Sequence, residues 1–100
     1  MTPIDGMRPV HPGEILREDY LIPLDLSVNA LARALRVPAT RLHGILKERR
    51  AVTPDTALRL ARFFGGDAQS WLNLQACYDL KVVSREVGEI IANEVRPRAA

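Results

Sequence analysis

The sequence contains little of what cross-linking, metal binding or membrane insertion requires. It has one cysteine, Cys77, and two histidines, His11 and His43. A single thiol cannot form an internal disulfide, and no cluster shows metal-ligand spacing, so we interpret Cys77 as a small packing residue. The N-terminus has no basic segment followed by an apolar one, and the longest apolar runs are far too short to cross a bilayer. We therefore expect a soluble, cytoplasmic protein with no membrane partner.

Motifs of catalysis are also missing. The chain has no glycine-rich phosphate loop, no serine or cysteine in a nucleophile motif and no histidine–carboxylate pattern. We therefore expect neither an enzyme nor a protein that needs a cofactor or a small-molecule substrate.

What the chain does contain is enough apolar material for one core. Of its 100 residues, 47% are hydrophobic and 26% are charged, which fits one ordinary globular domain. No segment shows the clear alternation of a strand, whereas apolar residues recur at helical spacing. We predict an all-α protein with a flexible arm at residues 1–10, one domain at residues 11–80 and an extension at residues 81–100.

Prolines, glycines and capping residues divide the domain into five predicted helices. Ser27, Thr53 and Asp67 are good N-caps, and Gly65-Gly66 is a strong stop signal. Proline suits the first turn of a helix but not its interior, so we expect Pro23 to end the first helix. The predicted spans are Pro12 to Tyr20, Ser27 to Leu35, Pro38 to about Lys47, Thr53 to Gly65 and Asp67 to about Leu80.

The extension beyond Leu80 fits two structures. Ser84 can cap a sixth helical element that carries the apolar residues of segment 87–91, but Gly88 weakens a helix and Val82-Val83 could be extended. These apolar residues have no obvious place in a five-helix core. They indicate a two-fold pairing of two copies through the fifth helix and this extension.

The second and third predicted helices have the pattern of a helix-turn-helix, in which two short helices cross steeply through a tight turn. Small Ala32 suits the point where the two helices approach most closely, and Val37 suits a buried turn. Arg36 departs from the pattern, because the turn needs a left-handed residue and usually has glycine there. Arginine can adopt that conformation at a cost of about 1 kcal/mol. The remaining inward positions of the unit are all apolar: Leu31, Leu35, Leu42 and Ile45.

Positive charge is concentrated in the same part of the chain. The segment from Arg33 to Arg50 has six basic residues and one acidic residue, a net charge of +5, whereas the rest has eight basic and eleven acidic residues, or −3. Such a segment attracts a polyanion. On charge alone, a solvated helix face would be the preferred interpretation. Its coincidence with the tight turn favours binding of double-stranded DNA.

The third predicted helix would then enter the major groove with its exposed side. Leu42, Ile45 and Leu46 face the core, which leaves an exposed side of Ala39, Thr40, Arg41, His43, Gly44 and Lys47. Arg41 can pair with a guanine edge, and the methyl group of Ala39 or Thr40 can meet a thymine methyl group. The predicted base-reading residues are Ala39, Thr40, Arg41, His43 and Gly44, and the predicted phosphate contacts are Lys47, Arg49 and Arg50.

Two of these residues allow other interpretations. His43 could contact a base or a phosphate, or it could be an incidental surface histidine. Gly44 weakens the helix by about 1 kcal/mol relative to alanine, yet it would let backbone or a DNA sugar come close. The sequence leaves both alternatives open.

Several motifs occur in a fixed order along residues 9–80: HPGEIL at 11–16, LARAL at 31–35, VP at 37–38, RL at 41–42, TPDTALRLARFF at 53–64 and WLNLQACYDL at 71–80. In this arrangement the chain resembles the HigA family of antitoxins, a branch of the phage-repressor-like helix-turn-helix proteins. The resemblance implies a five-helix, lambda-repressor-like bundle followed by a C-terminal helical extension. It also implies a homodimer that represses its own operon on a palindromic operator and neutralises a HigB-like, mRNA-cleaving toxin.

Three functions therefore stay open at this point. The chain is an operator-binding antitoxin, a stand-alone repressor of phage type, or a protein-interaction module on the same fold. The first two differ by a toxin partner, and the third predicts no salt-dependent DNA binding.

Overall fold

The computed structural model describes residues 8–98, which form helices joined by short turns and include no strand. The prediction of an all-α, five-helix protein is confirmed. Most of the predicted N-terminal arm, residues 1–7, lies outside the described residues; Arg8, the first described, pairs with Glu14 at 2.6 Å. Within the described range no helix is both long and apolar enough to cross a membrane.

The first helix, α1, changes its winding along its length. It is α-helical over Pro12–Ile15, π-helical over Leu16–Leu21 and α-helical again over Ile22–Leu24. The prediction that Pro23 ends this helix is wrong, because Pro23 lies inside its last turn. Just before it, the Ile22 amide donates to the Arg17 carbonyl five residues back. This wider turn relieves the clash that a proline ring makes with a regular α-helix.

Helices α2, Val28–Leu35, and α3, Ala39–Leu46, form the predicted helix-turn-helix. Ser27 caps α2 by accepting a hydrogen bond from the Ala30 amide at 3.0 Å. Arg36 has φ 60° and ψ 45°, the left-handed conformation that the tight turn requires. The next amide, of Val37, donates back to the Ala32 carbonyl at 3.0 Å. The turn is therefore formed as predicted, with arginine in the place where glycine is usual.

Helices α4, Pro54–Phe64, and α5, Ala68–Glu94, complete the described chain. Thr53 caps α4, and Asp67 caps α5 by accepting from the Ser70 amide at 2.7 Å. Between these helices Gly65 and Gly66 have φ of 90° and 83°, values that side chains rarely adopt. The predicted stop at this glycine pair is therefore confirmed.

Helix α5 does not end near Leu80, and the predicted sixth element is its continuation. All of Ala68–Glu94 is one helix of 27 residues. The extended alternative for Val82-Val83 is wrong, because no proline or glycine interrupts the chain between Leu80 and Ser84 and two valines reduce helix propensity only slightly. Ser84 lies inside the helix and is not a cap. The long helix gives the described chain extents of 53 × 24 × 23 Å.

The core lies where α1 to α4 meet the first half of α5. Trp71 of α5 is buried and stacks near Tyr20, with ring centroids 5.4 Å apart. Cys77 is exposed, so its predicted role in packing is wrong. It lies on the side of α5 opposite the buried residues Trp71 and Gln75. The other core side chains are mainly leucines: Leu16, Leu21, Leu31, Leu35, Leu42 and Leu60.

Candidate nucleic-acid interface

Helix α3 is fixed from behind by three buried residues. Leu42, Ile45 and Leu46 pack into the core as predicted. From α1, Arg17 donates through Nη1 to the Leu46 carbonyl oxygen at 2.8 Å, which satisfies the last carbonyl of α3. At the same crossing, a Cβ on Gly13 would overlap the Ile45 carbonyl oxygen, so only glycine allows α1 this close. The backbone of α3 is thus held rigidly against the domain.

The outward side of α3 differs in part from the prediction. Thr40, His43 and Lys47 are exposed, as expected. Ala39 is half-buried and packs against the core, because the first turn of α3 leans onto the domain. Ala39, which was predicted on the exposed side of α3, is therefore only half exposed. Thr40 and His43 are the exposed positions of the first two turns.

Arg41 is half-buried and does not extend freely from the helix. Its guanidinium donates through Nη1 to Asp55 Oδ2 at 2.6 Å, with 29% of the Arg41 side chain exposed. The same Oδ2 atom accepts from Arg59 Nε at 2.9 Å. Arg59 also donates through Nη1 to the Leu35 carbonyl at 2.8 Å, at the end of α2. This ion-pair chain joins α2, α3 and α4. The hydrogen bonds from Arg59 and Arg41 lower the pKa of Asp55, which keeps its carboxylate charged.

Gly44 lies in close contact with Arg50. A Cβ on Gly44 would overlap the aliphatic part of the Arg50 side chain, whose Cγ lies 2.8 Å from that Cβ position. The Gly44 carbonyl oxygen also accepts from the amides of Arg49 and Arg50, at 2.8 and 3.2 Å. The group that comes close to Gly44 in the folded chain is therefore Arg50, and a direct role of Gly44 at DNA stays a prediction. The sequence could not decide what came close.

The loop after α3 presents the three predicted phosphate contacts. Lys47, Arg49 and Arg50 are all exposed, and Glu48 between them has φ 62°. A left-handed residue turns the chain sharply, which brings the two arginines back beside the end of α3. Three of the four consecutive side chains are basic, so the loop has a positive potential that suits a polyanion.

The far end of this loop is anchored by Gln75 of α5. The buried Gln75 side chain accepts from the Val52 amide through Oε1 at 2.8 Å. Its Nε2 donates to Asp79 Oδ1 at 3.0 Å. Both polar atoms of a buried amide are therefore satisfied, and the loop is held at both ends.

His11 supports the same loop from α1. It is buried, with 2% of its surface exposed, and its Nδ1 accepts from the Gly13 amide at 2.9 Å. The ring meets Tyr78 edge to face, with centroids 4.8 Å apart. Burial lowers the pKa of His11, while a hydrogen bond to the Arg50 backbone and the charges of Glu48 and Asp79 oppose that shift. The ring is thus neutral at pH 7 and connects the start of α1 to the basic loop.

Sequence reasoning missed the residues that hold this surface. No role was predicted for Asp55, Arg17, Arg59 or Gln75. Their partners lie between 14 and 29 residues away in sequence, so no local pattern connects them. Four bonds to residues outside α3, of which three are buried or half-buried and the Arg41–Asp55 pair is exposed, therefore determine how it is presented.

Comparison with known proteins assigns the chain to a helix-turn-helix family. A family model described as "Helix-turn-helix" matches residues 16–71. Virulence-associated protein I of Dichelobacter nodosus is 59% identical over 80 residues, which cover 80% of this chain and 74% of that protein.

Two solved structures match almost the whole chain. A HigA-family addiction module antidote protein from Coxiella burnetii is 48% identical with a TM-score of 0.87, covering 92% of this chain and all of that one. The Pseudomonas aeruginosa antitoxin HigA, solved with the higBA promoter, is 44% identical with a TM-score of 0.89 and the same coverage.

Proposed function

Because this chain belongs to the helix-turn-helix family, we propose that it is an antitoxin that binds the operator of its own operon and represses it. The observation that carries the proposal is the presentation of α3: its core side is fixed by Leu42, Ile45 and Leu46, and its outer side meets a basic loop. The similarity to an antitoxin solved with promoter DNA supports the same function. Such a protein acts in the cytoplasm, where the operator is.

We assign base reading to the first two turns of α3. Thr40 and His43 are exposed there, and Arg41 lies at the edge that faces α4. Residues near the start of a recognition helix are those that reach base edges in the major groove. Ala39 contributes only the accessible part of its methyl group, and Gly44 acts by admitting the Arg50 side chain.

We assign phosphate contacts to Lys47, Arg49 and Arg50. They lie at the end of α3 and in a loop whose backbone is hydrogen-bonded to Gly44 and Gln75. Arginine and lysine on a fixed loop bind phosphate oxygens without reading sequence, and so set the position of α3 on the duplex.

A gel-shift titration against the chain's own upstream promoter and a scrambled duplex, at two salt concentrations, tests the proposal. Promoter-selective binding that weakens with salt is expected. Arg41→Ala should weaken promoter binding selectively by about 1 to 3 kcal/mol, and Arg49→Ala should weaken binding to both duplexes alike. Arg49 is preferred to Arg50 as the control because the Arg50 side chain also packs on Gly44. No binding even at low salt would reject DNA binding and favour a protein-interaction module.

We further propose that the chain binds a palindromic operator as a homodimer. The outer half of α5, from Leu80 to Glu94, exposes large apolar side chains that nothing in the described chain covers. They are Leu80, Val83, Ile90, Ile91 and, just past the helix, Val95. A second copy related by a two-fold axis would cover them and give the symmetry of a palindrome. Static light scattering at micromolar protein should give twice the monomer mass of 11.1 kDa. A monomer mass would count against this pairing.

The toxin partner is the remaining part of the proposal. Similarity to HigA antitoxins favours a HigB-like, mRNA-cleaving toxin. The alternative is a stand-alone repressor of phage type. Expression of the neighbouring short reading frame, alone and together with this chain, distinguishes the two. Growth arrest that this chain relieves by forming a complex supports the antitoxin, whereas operator binding without any such complex supports the stand-alone repressor.

A further inference from the structure

Asp55 has two hydrogen-bonding partners, and both are arginines of the helix-turn-helix region or its support. Its Oδ2 atom accepts from Arg41 of α3 and from Arg59 of its own helix, at 2.6 and 2.9 Å. Arg59 is held in turn by the Leu35 carbonyl at the end of α2. The carboxylate is therefore a fixed point between the two helices of the unit.

Capping of α4 does not require Asp55. Thr53 occupies the N-cap position, and its hydroxyl group accepts from the Thr56 amide. The Asp55 side chain is 55% exposed and contributes nothing to the core. An exposed carboxylate in this position also places negative charge beside a surface that we propose meets DNA phosphates, which is unfavourable for affinity. An acid in the first turn of α4 stabilises the start of that helix, but this effect does not depend on the pairing with Arg41.

The pairing with Asp55 fixes the conformation of the Arg41 side chain. A free arginine side chain loses considerable rotational freedom when it binds, and fixing it beforehand reduces that loss. Pairing with Asp55 leaves Arg41 29% exposed, at the edge of α3 that faces α4. From that edge the guanidinium has a restricted set of directions in which it can reach a base.

We propose that Asp55 is a positioning residue for DNA recognition, which sets operator specificity by holding the Arg41 guanidinium beside the first turn of α3. The inference rests on the proposed operator binding and deepens it. Asp55 makes recognition more selective while lowering the affinity for DNA of any sequence.

Asp55→Ala tests this inference in the full-length protein. Binding to promoter and scrambled duplexes should show a preference for the promoter that is about tenfold smaller than in the wild type, the size expected when one good base contact is lost. Affinity for the scrambled duplex should stay equal or increase, because a negative charge has been removed. Asp19→Ala is the matched control, since Asp19 is exposed on α1 and makes no described bond. It should leave the promoter preference unchanged.

The double variant Arg41→Ala with Asp55→Ala identifies the route of the effect. If Asp55 acts through Arg41, the double variant has the same promoter preference as Arg41→Ala alone. Thermal unfolding of each variant shows whether the fold is kept, and the ratio between the two duplexes is unaffected by a uniform loss of folded protein.

Two outcomes would overturn the inference. One is an unchanged promoter preference in Asp55→Ala; an equal gain in affinity for both duplexes would be such a case, and would mean that Asp55 only repels phosphates. The other is a double variant whose losses add independently. These outcomes leave operator binding intact, whereas a wild-type protein without promoter preference would refute the proposed function and this inference together.

Discussion

The helix-turn-helix region and the outer half of α5 are stabilised in different ways. In the first, the C-terminal ends of α2 and α3 each have a partner from another helix: Arg59 binds the Leu35 carbonyl and Arg17 binds the Leu46 carbonyl. In the second, no residue is buried. The buried residues of the 27-residue α5 are Trp71 and Gln75, and both lie in its first third. The first region is therefore specified by tertiary contacts, and the second by local helix propensity until something packs on it.

This difference explains why one region can bind with precision and the other can pair with a second copy. Rigid presentation of α3 keeps base contacts in register. An apolar helix face without a covering element gains stability only by association. The predictions below test this contrast, beginning with the largest effect.

Leu60→Ala should lower the free energy of unfolding by about 3 kcal/mol, because a fully buried leucine leaves a cavity that the core cannot close. Ile90→Ala, at a position 52% exposed, should change it by no more than about 0.5 kcal/mol in the monomer. Urea unfolding at low protein concentration measures both. A large loss in Ile90→Ala that grows with protein concentration would show that the outer half of α5 is buried between two copies.

Gly13→Ala should cost about 2 kcal/mol of stability. The added Cβ would overlap the Ile45 carbonyl oxygen, and backbone must move to make room. Because Ile45 is in α3, the variant should also bind the promoter more weakly. This loss should persist under conditions where the variant is fully folded, so that the loss of stability does not account for it. A variant with wild-type stability would show that α1 and α3 can separate freely, which would contradict rigid presentation.

Stability should fall as the pH drops below the ordinary histidine pKa of 6.5. Burial lowers the pKa of His11 in the folded state, so the unfolded state binds more protons, and stability is full above 6.5 and is lost as the pH falls through the folded pKa. Glu14 and Asp55, whose pKa values are lowered by arginine partners, titrate below this range. Chemical denaturation at about pH 7.5 and about pH 5.5 measures the loss.

Two asparagine variants assign that pH dependence. Asparagine is a good N-cap, so His11→Asn should keep the start of α1 and remove most of the loss between the two pH values. His43→Asn, at an exposed position of α3, should leave the loss unchanged. The opposite pattern would mean that burial does not lower the pKa of His11 in the folded state.

Much of the fold was predictable from the sequence because its signals are local. The caps Ser27, Thr53 and Asp67 act within three residues, and the glycine pair after α4 acts on its own backbone. Arg36 was located as the left-handed residue because the spacing of α2 and α3 leaves no other place for the turn. These features depend on neighbours in the chain.

The errors came from contacts between distant parts of the chain or from local geometry that has no sequence signal. Pro23 lies inside α1 because the preceding π turn makes room for the proline ring, and that turn has no simple sequence signal. The pairing of Arg41 with Asp55 depends on how α3 and α4 meet, which periodicity does not reveal. The base-reading side of α3 was therefore predicted as a helix face, while the direction of its most informative side chain was not.

A small gain in stability is expected at Gly88, in the outer half of α5. A Cβ there would meet only Ser84 Oγ of the preceding turn, at an ordinary 3.4 Å. Gly88→Ala should therefore stabilise the helix by about 0.5 to 1 kcal/mol, since alanine loses less backbone entropy on folding. Helix content by circular dichroism and amide exchange along residues 84–94 would measure the gain. If exchange slows there while the unfolding of the core is unchanged, the two regions are energetically separate. If the variant instead weakens the dimer, a second copy approaches the backbone at Gly88 so closely that no side chain fits there.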